Sequence, residues 1–103
     1  MSGLFRVTPN LIESANVLGY HRSRPGRRVV AHAQVNGEPV VFIGHGLGTK
    51  RERWEYAATA LDGFLTAAEP GMVSGRNVQG PLERETVAAF RKRHGYELPA
   101  VAP

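Results

Sequence analysis

Between Gly44 and Glu55 the chain sets three cations, Lys50, Arg51 and Arg53, directly behind glycines at 44, 46 and 48. Glycines let a backbone turn several N–H groups to one side, and such a run flanked by cations suits an anion, phosphate first among them. The pair Thr49 and Glu52 has capping-box spacing, which predicts that the glycine loop opens into a helix. Cations in a first helical turn oppose the macrodipole at roughly 0.3 to 1 kcal/mol each, so their placement argues for a ligand. The opposing reading is a solvated face whose pairs, such as Arg51 with Glu55, support the helix at i,i+4 spacing. His45, inside the glycine loop, is a further candidate donor to phosphate.

A second basic cluster, Arg22, Arg24, Arg27 and Arg28, is interleaved with Ser23, Pro25 and Gly26 and reads as a loop or arm. Eleven of the thirteen cations are Arg, the side chain suited to bidentate phosphate contacts, although a GC-rich genome favours the same residue. A net charge of +4 and a pI near 10.1 favour anionic partners.

Other chemistries are excluded or poorly supplied. The chain has no cysteine, which removes disulfides, thiolate metal sites and cysteine nucleophiles. His21, His32, His45 and His94 show no HxH or HxxxH spacing, so neither a metal nor a cofactor is expected. Residues 37–48 resemble the first strand and oxyanion loop of α/β-hydrolases, but Ser2, Ser14, Ser23 and Ser74 all lack the glycines of a nucleophile elbow. No apolar run approaches a signal peptide or the roughly 20 residues of a membrane span, so a cytoplasmic protein is expected.

The elements that must position the cations follow from the pattern. Thr8 and Pro9 predict a helix start, and Leu11, Ile12, Ala15 and Leu18 continue it up to Gly19. Arg28–Val35 and Pro39–Ile43, joined by Asn36-Gly37, predict a β-hairpin, with Leu4–Val7 as a third strand. Trp54, Ala57, Ala58, Leu61, Phe64, Leu65 and Ala68 recur at 3.6-residue spacing, predicting one face of a long helix from Thr49 to Ala68 with Trp54 in the core or at its edge. Gly71–Pro81 reads as a loop. Leu82–His94 reads as a second helix whose Glu83, Glu85 start and Arg91-Lys92-Arg93-His94 end suit the macrodipole.

Val35-Asn36-Gly37, the second strand, the three glycines, Thr49-Lys50-Arg51 and Ala57-Ala58 with Leu61 resemble the last half of a double-stranded RNA-binding domain, over about 40 residues. That resemblance implies phosphate contacts for Lys50 and Arg51 at a helix start. Trp54 stands where the family carries its third lysine. The same residues resemble the arm-type N-terminal DNA-binding domains of phage-type integrases. Both likenesses imply a nucleic-acid surface without catalysis.

The sequence thus predicts a single α+β domain over residues 1–98, with a tail at 99–103. Its sheet of two or three antiparallel strands packs on a long helix with two shorter ones beside it. The expected function is non-catalytic binding of duplex DNA or RNA through Arg22, Arg24, Arg27, Arg28, His45, Lys50, Arg51 and Arg53. The alternative is a phage- or host-encoded module that binds a protein, and a homodimer through the hairpin edges is compatible with either.

Overall fold

Asn36 and Gly37 both take positive φ, 53° and 81°, which is the backbone of a tight two-residue hairpin turn. In the computed structural model, which describes residues 8–57, 72–74 and 85–96, that turn joins β2 (Arg28–Val35) to β3 (Glu38–His45). Their register runs from Val35 opposite Glu38 to Arg28 opposite His45. β1 (Asn16–His21) pairs antiparallel with β2, and its register shifts between Val17 and Gly19. β4 (Arg53–Tyr56) pairs with β3, and β5 (Met72–Ser74) pairs with β1. The result is one antiparallel sheet in the order β4-β3-β2-β1-β5. Among the described residues two α-helices, α1 (Pro9–Ser14) and α2 (Val87–His94), make the fold α+β.

The register sends Val29, Ala31, Val40 and Phe42 to one face, where they join Ile12, Val17, Leu47, Val87 and Phe90 in the main core. Val30, Val41 and Ile43 form a smaller buried cluster on the opposite face, with Leu18 and Ala57 against it. Two apolar faces explain why Val29-Val30-Ala31 and Val40-Val41-Phe42-Ile43 are continuous apolar runs, without the alternation of a half-exposed strand.

Several expected elements take a different form. Thr8 caps α1 through the Leu11 N–H, and Pro9 opens it, but the helix ends at Ser14 and not at Leu18. Val17 is needed in the sheet, and pairing with β2 outweighs one more helical turn. The long helix from Thr49 is replaced, within the described residues, by a turn and then β4. Residues 58–68 of that prediction lie outside the described set. Trp54 packs at the edge of the main core while Ala57 touches the cluster on the other face, as strand alternation requires and a helical stripe does not.

Among the described residues the sheet has five strands rather than two or three, and the expected strand Leu4–Val7 lies outside them. Met72–Ser74, inside the expected Gly71–Pro81 loop, is a strand. The last helix begins at Val87, capped by Thr86 through the Ala89 N–H, and Glu85 stands ahead of the cap. The shorter helix follows from Asn16, which forms a β-bridge with Thr86. The Ala15 carbonyl also accepts from the Val87 N–H at 2.8 Å. The expected tail at 99–103 also falls outside the described residues.

Candidate nucleic-acid interface

The two basic clusters sit on the β1–β2 and β3–β4 connections, which leave the sheet at the same end. They are joined by backbone. The Gly46 N–H donates to the Arg27 carbonyl at 3.2 Å, and the Leu47 N–H to the Gly26 carbonyl at 2.8 Å. Arg22, Arg24, Arg27, Lys50, Arg51 and Arg53 are exposed there, and Arg28 is half-buried at the start of β2. Among the described residues no salt bridge engages Arg22, Arg24, Arg27, Lys50 or Arg51.

Tyr96 braces both loops from α2. Its hydroxyl accepts from the Gly26 N–H at 3.1 Å. Gly48, at φ 80°, lies so close that an added Cβ would stand 3.0 Å from the Tyr96 Cβ. The αL cap at Gly95, whose N–H bonds back to α2, turns the chain so that Tyr96 reaches this position. Nothing in the sequence around Tyr96 signals this role, because the contact closes over 70 residues.

The glycine turn does not offer a cradle of free N–H groups. Gly46 and Leu47 are engaged with the arm, Thr49 N–H bonds the Gly46 carbonyl at 3.1 Å, and Glu52 N–H bonds the Thr49 carbonyl at 3.2 Å. Arg51 N–H donates to the Thr49 hydroxyl at 3.1 Å. The Gly48 N–H donates to Glu52 Oε1 at 2.9 Å. The turn therefore already holds an anion, the carboxylate of its own Glu52. Lys50 and Arg51 lie in a turn and not at a helix start, so no helix dipole opposes them.

Glu52 is also the centre of a buried ion cluster. Arg91 of α2, 5 % exposed, directs Nη1 and Nη2 at the two oxygens of Glu52, both at 2.8 Å. Its Nη2 and Nε also reach Glu13 of α1, at 2.7 and 3.2 Å. Trp54 Nε1 donates to the second Glu52 oxygen at 3.0 Å. Burial pushes the Glu52 carboxyl up, but the hydrogen bonds from Arg91, Gly48 and Trp54 outweigh it and hold the group below its usual value. The same contact with Glu52 raises the Arg91 pKa further. Arg91 thus leaves the basic helix end to pin the glycine turn to both helices.

Glu55 does not meet Arg51. On β4 it accepts from Arg53 Nη1 and lies 3.3 Å from His45 Nε2. His45 is accordingly paired with Glu55, and Arg53 is partly neutralised by the same carboxylate. Arg93 likewise bonds Glu85, at 2.7 and 2.8 Å.

His21 joins the site although it was not among the expected contacts. Its Nδ1 accepts from the Arg24 N–H at 3.2 Å, which leaves Nε2 to carry the proton of the neutral ring. A side-chain acceptor three residues ahead of a turn N–H is the available signal, and it is a weak one. Among the described residues no group of three or more His, Asp or Glu is placed to hold a metal ion. No helix among them is long and apolar enough to cross a membrane. Comparison of the chain with family models, curated proteins and solved structures gives no match.

Proposed function

We propose that this domain is a cytoplasmic, non-catalytic nucleic-acid-binding module whose phosphate contacts are Arg22, Arg24, Arg27, Lys50 and Arg51, with Arg28 and Arg53 at the margins. The observation that carries the reading is the pair of backbone bonds from Gly46 and Leu47 to Arg27 and Gly26. They bring two basic loops, distant in sequence, to one end of the sheet, where among the described residues no salt bridge engages five of their cations. Held side by side, these charges create a local positive potential that attracts a polyanion.

Fluorescence anisotropy with labelled oligonucleotides, over a salt series, tests the proposal. Five phosphate contacts give a slope of log K against log salt of about −4.5 on duplex and about −3.5 on a single strand. Absence of binding at low salt, or an affinity indifferent to salt, overturns the reading in favour of a protein-binding module.

A further inference from the structure

Tyr56 is the large apolar side chain left exposed among the described residues, at 42 %. It is the last residue of β4, which among the described residues is an edge strand paired with β3. The same strand begins just behind Lys50 and Arg51, so one short segment carries two exposed cations at one end and an exposed aromatic ring at the other.

We propose that this edge binds single-stranded nucleic acid, with a base stacked on Tyr56 and the adjoining phosphates held by Lys50 and Arg51. The inference rests on the nucleic-acid reading above and names the form of the ligand. An aromatic side chain reads a base through its π-face, and a duplex hides that face within its stack. A basic surface alone favours the more densely charged duplex if either, so a preference for single strands needs a group such as an exposed ring beside it. The five steps from Arg51 to Tyr56 span at most about 17 Å, the length of about five nucleotides at the ~3.4 Å rise of a stacked strand. One short oligonucleotide therefore covers both groups.

Trp54 is not part of this platform. It shares a face with Tyr56 in the β3–β4 register, but its ring lies against Gly44, where a Cβ would come within 2.6 Å, and its Nε1 is committed to Glu52.

The test uses the whole chain and three ligands: a labelled DNA strand, an RNA strand of the same sequence, and the DNA strand annealed to its complement. Single strands are expected to bind at least about tenfold more tightly than the duplex. Tyr56→Ala should weaken single-strand binding by roughly 5- to 150-fold and leave duplex binding unchanged, since one base–aromatic stack has that range. Tyr56→Phe should retain affinity. Tyr56→Leu keeps apolar bulk at the edge without a ring, and serves should the alanine variant fail to fold. Duplex affinity equal to or above that of the strands, or full single-strand affinity in the leucine or alanine variant, overturns this inference while the nucleic-acid reading stands. Failure of the unmodified chain to bind any of the three overturns both.

Discussion

The guanidinium of Arg91 and the carboxylate of Glu52 meet in a two-point contact, 2.8 Å at each point, although 39 residues separate them in the chain. The contact commits the turn's own carboxylate to the core, and among the described residues no salt bridge engages Lys50 or Arg51. A structural pair thereby sets the charge of the surface beside it.

Removing one partner of a buried pair strands the other. Arg91→Met should destabilise the domain by about 3 to 5 kcal/mol, because two carboxylates lose their cation. Arg91→Lys should recover little, since a point charge cannot span the oxygens of Glu52 and Glu13 together. The double variant Glu52→Leu with Arg91→Met should recover only part, because the Gly48 N–H and Trp54 Nε1 then lose their acceptor. Urea unfolding of the set measures all three.

The hairpin was legible because Asn36-Gly37 and the β-branched runs beside it are local signals, and so was the start of α1 at Thr8-Pro9. Residues 49–56 were not. Thr49 and Glu52 do not make the reciprocal bonds of a capping box: the Thr49 hydroxyl donates to the Gly46 carbonyl and Glu52 accepts from the Gly48 N–H, while Gly46 and Gly48 at positive φ turn the chain back along β3. Arg53-Trp54-Glu55-Tyr56 alternates with period two, and the open edge of β3 decides between helix and strand. Both basic clusters could be read from the sequence, but their meeting could not, because it depends on the β2–β3 register. Glu13, Glu52 and Arg91 lay beyond reach for the same reason: no spacing links residues brought together only by the fold.

Acid should unfold the domain in two stages. Burial lowers the pKa of both His32 and His94 below 6.5, and beside His94 the Arg93 charge adds to that while Glu85 partly opposes it. The unfolded chain therefore binds more protons as pH falls through 6.5, and stability declines from there until the folded-state values are passed. Glu52, held below 4.5, contributes stability that is present above its unfolded value and lost as pH falls through its folded one. Unfolding free energy measured from pH 8 to pH 3 should thus rise with pH in both windows. His94→Phe should flatten the upper window, because the ring nitrogen Nε2 is buried without a hydrogen-bond partner among the aromatic rings of Tyr20, Phe90 and Tyr96. An unchanged slope between pH 5 and 7 in that variant refutes the assignment.

Gly44→Ala should act through Trp54. The new Cβ would stand 2.6 Å from the indole, so the ring must move off the strand. A cost of about 1 to 3 kcal/mol is expected from overpacking, together with a red shift of tryptophan emission as the indole leaves Glu52 for water. Wild-type stability and an unshifted spectrum would show that the ring does not lie on Gly44 in solution.

The charge-reversed variant Lys50→Glu with Arg51→Glu separates surface from scaffold most directly. Were these residues at a helix start, each new carboxylate would stabilise the fold by roughly 0.3 to 1 kcal/mol through the dipole. In a turn that term is absent. The hydrogen bonds at 49–52 use the Arg51 N–H, the Thr49 hydroxyl and the Glu52 carboxylate, none of which the substitutions remove. Thermal unfolding should therefore stay within about 0.5 kcal/mol of the unmodified chain. Nucleic-acid affinity should fall, and the salt slope should lose about 1.4 units on a single strand and about 1.8 on duplex, since two phosphate contacts disappear. A large drop in stability with affinity and slope intact would make the two cations part of the scaffold, and the surface would then have to be built from the arginine arm alone.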